Sequence, residues 1–308
     1  MTRAGAGNLA FGKTNSFLGS LTQDGSGNDE YFEPGIDPQF NDDPELDRDL
    51  TQVRLPNEVF HNTSIEGNIE GAFGIDFAPE NARIDDVHDI LFNNHTGTGD
   101  LITTGESPSS RWFVGLDYIR GKAERVLKGC VPINFEFNWE QGGVPRYSCQ
   151  FIYADEAYNT SFSPADVGEV GTDVVAFHST DLQIDGTAQS KEQSFSLSIE
   201  DMSAFHYGAD SVAEGATVAG PRASLDVTTI ITEDDQLELA YGGSGQTTTS
   251  NLMDAVSGTL TLNTDAGEAA KYNLSSMKPE NHTWQDIINA DADAAESYTM
   301  QINGVSMA

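Results

Sequence analysis

The stretch VPINFEFNWEQGGVPRYSCQFIY, Val131 to Tyr153, decides the fold class. Val131, Ile133, Phe135, Phe137 and Trp139 alternate with Asn134, Glu136 and Asn138. That is the two-residue period of a strand with one face in a core and one in water. Gln141-Gly142-Gly143 supplies the turn, and Tyr147, Cys149, Phe151 and Tyr153 return, so the segment reads as a long β-hairpin. A turn there sets Cys149 opposite a residue near Phe135. A bridge to Cys130 would then exceed the normal Cα separation of a disulfide, and both cysteines read as buried thiols.

The same alternation recurs outward from the hairpin. Ile65, Ile69, Phe73, Ile75 and Phe77 oppose Glu66, Asn68, Glu70 and Asp76, which predicts a long half-buried strand. Shorter runs are Arg111 to Ile119, Ser194 to Glu200, Ala223 to Ile231, Gly258 to Asn263 and Tyr298 to Val305. One helix is expected, Ala82 to Asn93, with Ile84, Val87, Ile90 and Leu91 on one stripe, Asn81 as cap and acids in the first turn. Many antiparallel strands beside so little helix predict a mainly β protein, a β-sandwich or barrel with a flanking short helix.

Two stretches lack any period, Leu21 to Asn57, rich in Asp, Asn, Pro and Gly, and Tyr158 to Asp173. The second divides the chain nearly in half, and the halves echo each other in order. Asn8 to Gly12 is echoed by Ser203 to Gly208, the strand from Ile65 by that from Ala223, and Asp85-Asp86 by Asp234-Asp235. Trp112 to Tyr118 is echoed by Thr259 to Thr264, Ala123 to Trp139 by Ala269 to Trp284, and Tyr147 to Ala154 by Tyr298 to Val305. The expectation is a duplicated β domain, residues 1–157 with an acidic loop at 21–57, a linker at 158–173, and a second domain at 174–308.

The chain of 308 residues carries 49 Asp plus Glu against 15 Lys plus Arg, a formal net charge of -34. Such a surface repels phosphates, which excludes nucleic-acid binding by counterion release as the main activity. The acids are spread along the whole chain, the habit of proteins working in brine, where molar salt cuts the Debye length to about 3 Å and self-repulsion hardly costs stability. With 16 Phe, 9 Tyr and 3 Trp the chain is too aromatic for an acidic disordered tail. Met1 to Lys13 has no apolar signal region, and no apolar run approaches the ~18 residues of a membrane span. The expectation is a soluble protein made and used without secretion or membrane.

Gly7-Asn8-Leu9-Ala10-Phe11-Gly12-Lys13-Thr14 fits the P-loop pattern letter for letter. A phosphate cradle needs a strand feeding the loop and a helix after it; neither has room here, and the segment reads as a strand and turn opening a β domain. Six histidines show no metal-ligand spacing, and no nucleophile elbow exists. The expectation is no catalytic residue, cofactor or metal. Asp24 to Glu30 and Asp42 to Glu45 offer oxygen ligands for calcium but read better as solvated acidic loops.

The chain resembles the tail tube proteins of long-tailed, siphovirus-like viruses, and with this acidity those of haloarchaeal tailed viruses. The resemblance rests on Gly129 to Phe137 with Gly142-Gly143 and the returning Tyr147 to Tyr153. In the second half it rests on Leu182 to Thr187, Ser194 to Glu200, and Gly220-Pro221-Arg222 leading into Ala223 to Ile231. It implies a virion structural protein, assembled in the host cytoplasm, that closes with its own copies into rings. The rings stack into a tube with tape measure, terminator and baseplate proteins as further partners, and genomic DNA passes transiently through the lumen. The strand faces bearing Glu66, Asn68, Glu70 and Asp76, then Asn134, Glu136 and Asn138, are the candidates for the lumen wall. Six tube domains around the axis, with two per chain, imply a trimer of pseudo-sixfold appearance rather than a hexamer. The alternative reading is a halophilic cell-surface or adhesion β-sandwich, and a brine-adapted hydrolase ranks below it.

Overall fold

The computed structural model describes residues 7–53, 63–65, 67–118, 121–159, 167–168, 171–288 and 293–308. It is mostly β. The first half holds β1 (Gly7–Lys13), β2 (Ile36–Asp47), β3 (Glu70–Ala78), helix α1 (Ile84–Leu91), β4 (Ser110–Tyr118), β5 (Gly121–Glu140), β6 (Arg146–Tyr153) and β7 (Asp155–Asn159). The second half holds β8 (Thr180–Ile184), β9 (Glu192–Glu200), β10 (Arg222–Ile230), helix α2 (Asp235–Tyr241), β11 (Val256–Thr264), β12 (Gly267–Gln285), β13 (Ala295–Ile302) and β14 (Gly304–Met307).

The pairing order repeats, all antiparallel. β1–β4–β5–β7 has its counterpart in β8–β11–β12–β14. β2–β3–β6–β5 has its counterpart in β9–β10–β13–β12. The long strands β5 and β12 each serve two sheets because each bends once. The bend in β5 is at Gly129, φ +62°, and that in β12 at Ser276, φ +52°. A Cβ on Gly129 would lie 2.9 Å from Leu18 Cδ2, so glycine suits both the left-handed backbone and the close approach. Beyond the bend each strand carries a bulge, between Pro132 and Asn134 and again between Pro279 and Asn281. A proline cannot donate to the ladder, and a bulge is where a sheet tolerates it.

Most of the apolar faces meet in one core that spans both halves, and Leu21, Phe113 and Val126 form a smaller separate cluster. Phe73 stacks on Phe151 at 5.2 Å, Trp112 lies 5.3 Å from both, and Phe135 meets Tyr147 at 5.0 Å. Each such ring contributes roughly 2–3 kcal/mol by leaving water. Leu197, Leu225, Leu260, Leu262 and Met300 continue the same core into the second half. A buried polar node ties the halves together. His88 Nε2 lies 2.7 Å from Tyr272 Oη, and Tyr272 Oη lies 2.7 Å from Tyr147 Oη. Cys149 pairs in register with Phe135, as the hairpin spacing predicts, and both cysteines are free and buried.

Several expectations need correction. The stretch 21–57 is not a structureless loop: it contains β2, whose three register shifts against β3 erase the two-residue period, with Pro38 and Pro44 tolerated at a sheet edge. The strand expected from Ile65 to Phe77 is broken, since Thr63–Ile65 pairs with Thr51–Val53 and β3 begins only at Glu70. The helix is shorter than expected and takes no side-chain cap from Asn81. The counterpart of β1 in the repeated pairing order is β8, since β1 lies on β4 as β8 lies on β11; Ser203–His206, which echoes Asn8 to Gly12 in sequence, forms a separate hairpin with Gly215–Val218. Most of 158–173 lies outside the described residues.

Candidate functional site

The two four-stranded sheets are joined by pairing of β5 with β9, from Glu140 opposite Ser194 to Phe135 opposite Ile199. The result is one antiparallel sheet in the order β2–β3–β6–β5–β9–β10–β13–β12. Alternation gives it an apolar inner face and a polar outer one. Two cross-strand rows define the polar face. One runs Asp76, Ser148, Glu136, Ser198, Ser224, Gln301, Lys278. The other runs Arg146, Asn138, Ser196, Asp226, Thr299, Asn281. A shallow groove of about 720 Å³ follows this face.

The face is wet, hydroxyl- and amide-rich, and poor in exposed positive charge. Asn134 Nδ2 donates to Gln150 Oε1 at 2.7 Å, Asn41 Nδ2 donates to Asp76 Oδ1 at 2.7 Å and to Ser148 Oγ at 2.9 Å, and the Thr299 hydroxyl donates to Asp226. Arg146 is folded back, with Nη2 donating to the Asp37 carbonyl at 2.8 Å. Its guanidinium is thereby engaged at the protein surface, which leaves few cations to hold a polyanion.

Of the seven lumen candidates, Asp76, Asn134, Glu136 and Asn138 share this face. Glu70 is exposed at the start of β3 and accepts a hydrogen bond from Tyr207 Oη at 2.9 Å. Asn68 is exposed but lies before β3 rather than in it, and Glu66 lies outside the described residues. The second half's share of the face, Ser196, Asp226, Thr299 and Asn281, was not singled out from sequence. Its signal was present in the alternation of Ser194 to Glu200 and Ala223 to Ile231, but serine and threonine carry no charge to mark a wet face.

The P-loop-like segment has no loop to hold phosphate. Its residues 7–13 form β1, paired along its length with β4. Lys13 Nζ instead reaches α1, at 2.7 Å from Asp89 and 3.1 Å from Asp86. Partial burial works against its charge, yet these carboxylates outweigh it and hold the pKa above the usual lysine value. Asp24 accepts the backbone amides of Ser26 and Asn28, both at 2.8 Å, and these bonds lower its pKa. Among the described residues no group of three or more His, Cys, Asp or Glu is placed to hold a metal ion. Among them, too, no helix is long and apolar enough to cross a membrane.

A family model described as phage tail tube protein matches residues 9–300. The chain belongs to the phage tail tube family. The match runs from within β1 to within β13, so both halves of the repeated strand order fall inside the tail tube match. Membership makes the chain a structural protein of the virion tail that self-assembles into a tube with other tail proteins. No curated protein matches the sequence.

Proposed function

We propose that this tail tube protein forms rings of three chains, each chain supplying two tube domains, and that the rings stack into the conduit through which the genome leaves the particle. The observation that carries the reading is the repeated strand order, two sets of seven strands whose inner sheets are already joined side by side through β5 and β9. If one chain contributes eight strands to a closed inner wall, three chains place about 24 strands around the axis, and the β5–β9 junction recurs with pseudo-sixfold spacing. The division into domains 1–157 and 174–308 belongs to this proposal.

The polar face bearing Asp76, Asn134, Glu136, Asn138, Ser196, Asp226 and Thr299 lines the channel. Its hydroxyls, amides and carboxylates give DNA no cationic stripe to bind, so the polymer slides instead of sticking. The protein has no catalytic role. With a charge of -34 per chain, ring formation requires screening, which fits a halophilic virus of long-tailed form. Light scattering and negative-stain microscopy over a potassium chloride series test this. Rings and tubes at molar salt that dissolve in dilute buffer are expected; compact monomers at every salt concentration would overturn the reading.

A further inference from the structure

Inside the chain the two halves are held together a second time, away from the polar face. The loop after α1 reaches across to β14: Leu101 N donates to the Val305 carbonyl at 2.7 Å, and Asp100 bridges Ser306. Leu101 is 1% exposed and plugs the open end between the second half's two sheets, beside Ile199, Ala223, Ile302 and Val305. The loop after α2, residues 242–255, carries Asn251-Leu252-Met253 where the first carries Asp100-Leu101-Ile102, yet Leu252 is 83% exposed. We propose that Leu252 of one chain is a latch that docks on β7 of the next chain, as Leu101 docks on β14 within the chain. The proposal rests on the ring reading above, but a closed channel wall does not require it, because the latch engages the other sheet.

The docking position follows from places the two halves share. Counting back from the bends at Gly129 and Ser276, Leu127 pairs with Glu156 of β7 as Leu274 pairs with Val305 of β14. One residue further, Val126 pairs with Ala157 as Asn273 pairs with Ser306. Carried over, the Leu252 amide of one chain donates to the Glu156 carbonyl of the next, and Asn251 comes opposite Ala157. The receiving end is built on the same plan. The row Leu46, Gly71, Tyr153 takes the place of Ile199, Ala223, Ile302. Glu156 stands where Val305 does, and Arg125 holds its carboxylate with two bonds of 2.7 Å, so the charge beside the apolar latch is already neutralised.

Burial supports the match independently. Within the chain β14 has segment 100–101 on its outer side, whereas among the described residues β7 pairs with β5 alone. Tyr158 of β7 is 70% exposed, while its counterpart Met307 packs against the core. Leu46 at the receiving end is 36% exposed against 3% for Ile199. The latch loop is held in shape by its own bonds: Ser250 N donates to the Tyr241 carbonyl at 2.7 Å and Asp254 N to the Gly242 carbonyl at 2.9 Å. Thr249 and Met253 of this loop lie with Pro279 and Trp284, on the side of the second half that corresponds to the β5 side of the first. A large apolar side chain offered on a fixed loop toward that side, and an open end shaped like the one Leu101 fills, make a second copy of this chain the occupant.

Two substitutions of the same residue type separate the roles. Leu252 faces solvent in the single chain, so Leu252→Ala should leave the urea midpoint of unassembled protein unchanged. It should weaken each contact between chains on the order of tenfold, moving ring formation to higher salt or protein concentration in light scattering. Leu101→Ala, inside the chain, should lower the urea midpoint itself. Disulfide trapping tests the position, since directly opposed residues of an antiparallel pair have Cα atoms about 4.5–5.5 Å apart. N251C/A157C, oxidised in molar potassium chloride, is expected to give a ladder of linked chains on a denaturing gel. D100C/S306C should close within one chain and run as a monomer, and N251C/S26C should not link; Cys130 and Cys149 are buried and contribute nothing. Rings from Leu252→Ala under wild-type conditions, or equal ladders from N251C/A157C and N251C/S26C, would overturn the latch and leave the ring reading standing. No rings from the wild type would remove both.

Discussion

His88 makes acid stability a sharp test of the core. It is fully buried on α1, and burial first, then the neighbouring His95, lowers its pKa to about 3. In the unfolded chain it titrates near 6.5. Below that pH the unfolded chain binds a proton that the folded chain refuses, so this contribution to stability is complete above pH 6.5 and is lost as pH falls toward 3. The slope is about 1.4 kcal/mol per pH unit, which amounts to about 2 kcal/mol by pH 5. That is a large part of a typical net stability of about 5–15 kcal/mol. Urea unfolding of the wild type and His88→Gln, in constant molar salt and at protein concentrations below assembly, measures it. The variant weakens the node with Tyr272 and Tyr147 and should be less stable at pH 8 by about 1–3 kcal/mol. Because glutamine does not titrate, the gap should close by about 2 kcal/mol at pH 5. A gap of constant size from pH 8 to pH 5 would refute the account of a neutral, buried histidine.

Lys13→Ala should cost about 0.5–1 kcal/mol through the lost ion pairs with Asp86 and Asp89, with no nucleotide affinity in either protein; ATP binding by calorimetry that vanishes in the variant would reinstate the P-loop. Burial raises the Glu124 pKa to about 7, so the folded chain holds a proton that the unfolded chain releases above pH 4.5, and stability from this site falls as pH rises from 4.5 to 7. Glu124→Gln should therefore gain on the order of 1 kcal/mol at pH 8 and nothing at pH 4, read from urea midpoints. Gly71→Ala puts a Cβ 2.0 Å from the Tyr153 ring, whose hydroxyl holds the Glu45 carbonyl at 2.7 Å. A loss of about 1–3 kcal/mol is expected in thermal or urea unfolding, and an unchanged midpoint would show that the ring is free to move.

Where one face of a strand is charged and the other aromatic, the pattern led directly to structure. The β5–β6 hairpin, the Cys149–Phe135 register and the shared polar face of Asp76, Asn134, Glu136 and Asn138 came from that contrast. It failed at β2, where bulges place Asp42 opposite Gly74 after Phe40 opposite Ile75, so acids and apolar residues fall out of step. It also failed for Asn68, because alternation continues through the sequence from Ile65 to Phe77 while the backbone leaves the sheet before Glu70. The order of echoes pointed to repetition, but similarity between Asn8 to Gly12 and Ser203 to Gly208 misassigned the second-half counterpart of β1. Pairing is decided by which edge is available, and Thr180–Ile184 is the strand that lies on β11. The polar face of the second half stayed hidden because Ser196, Ser198, Ser224 and Thr299 are as common in turns as on wet strands.

A reconstruction of the assembled particle in molar salt tests the central claim most directly. The account predicts a ring of three chains with six similar tube domains, the rows through Glu136 and Asp226 facing the channel. A ring of six chains, or a channel wall built from other strands, would contradict it.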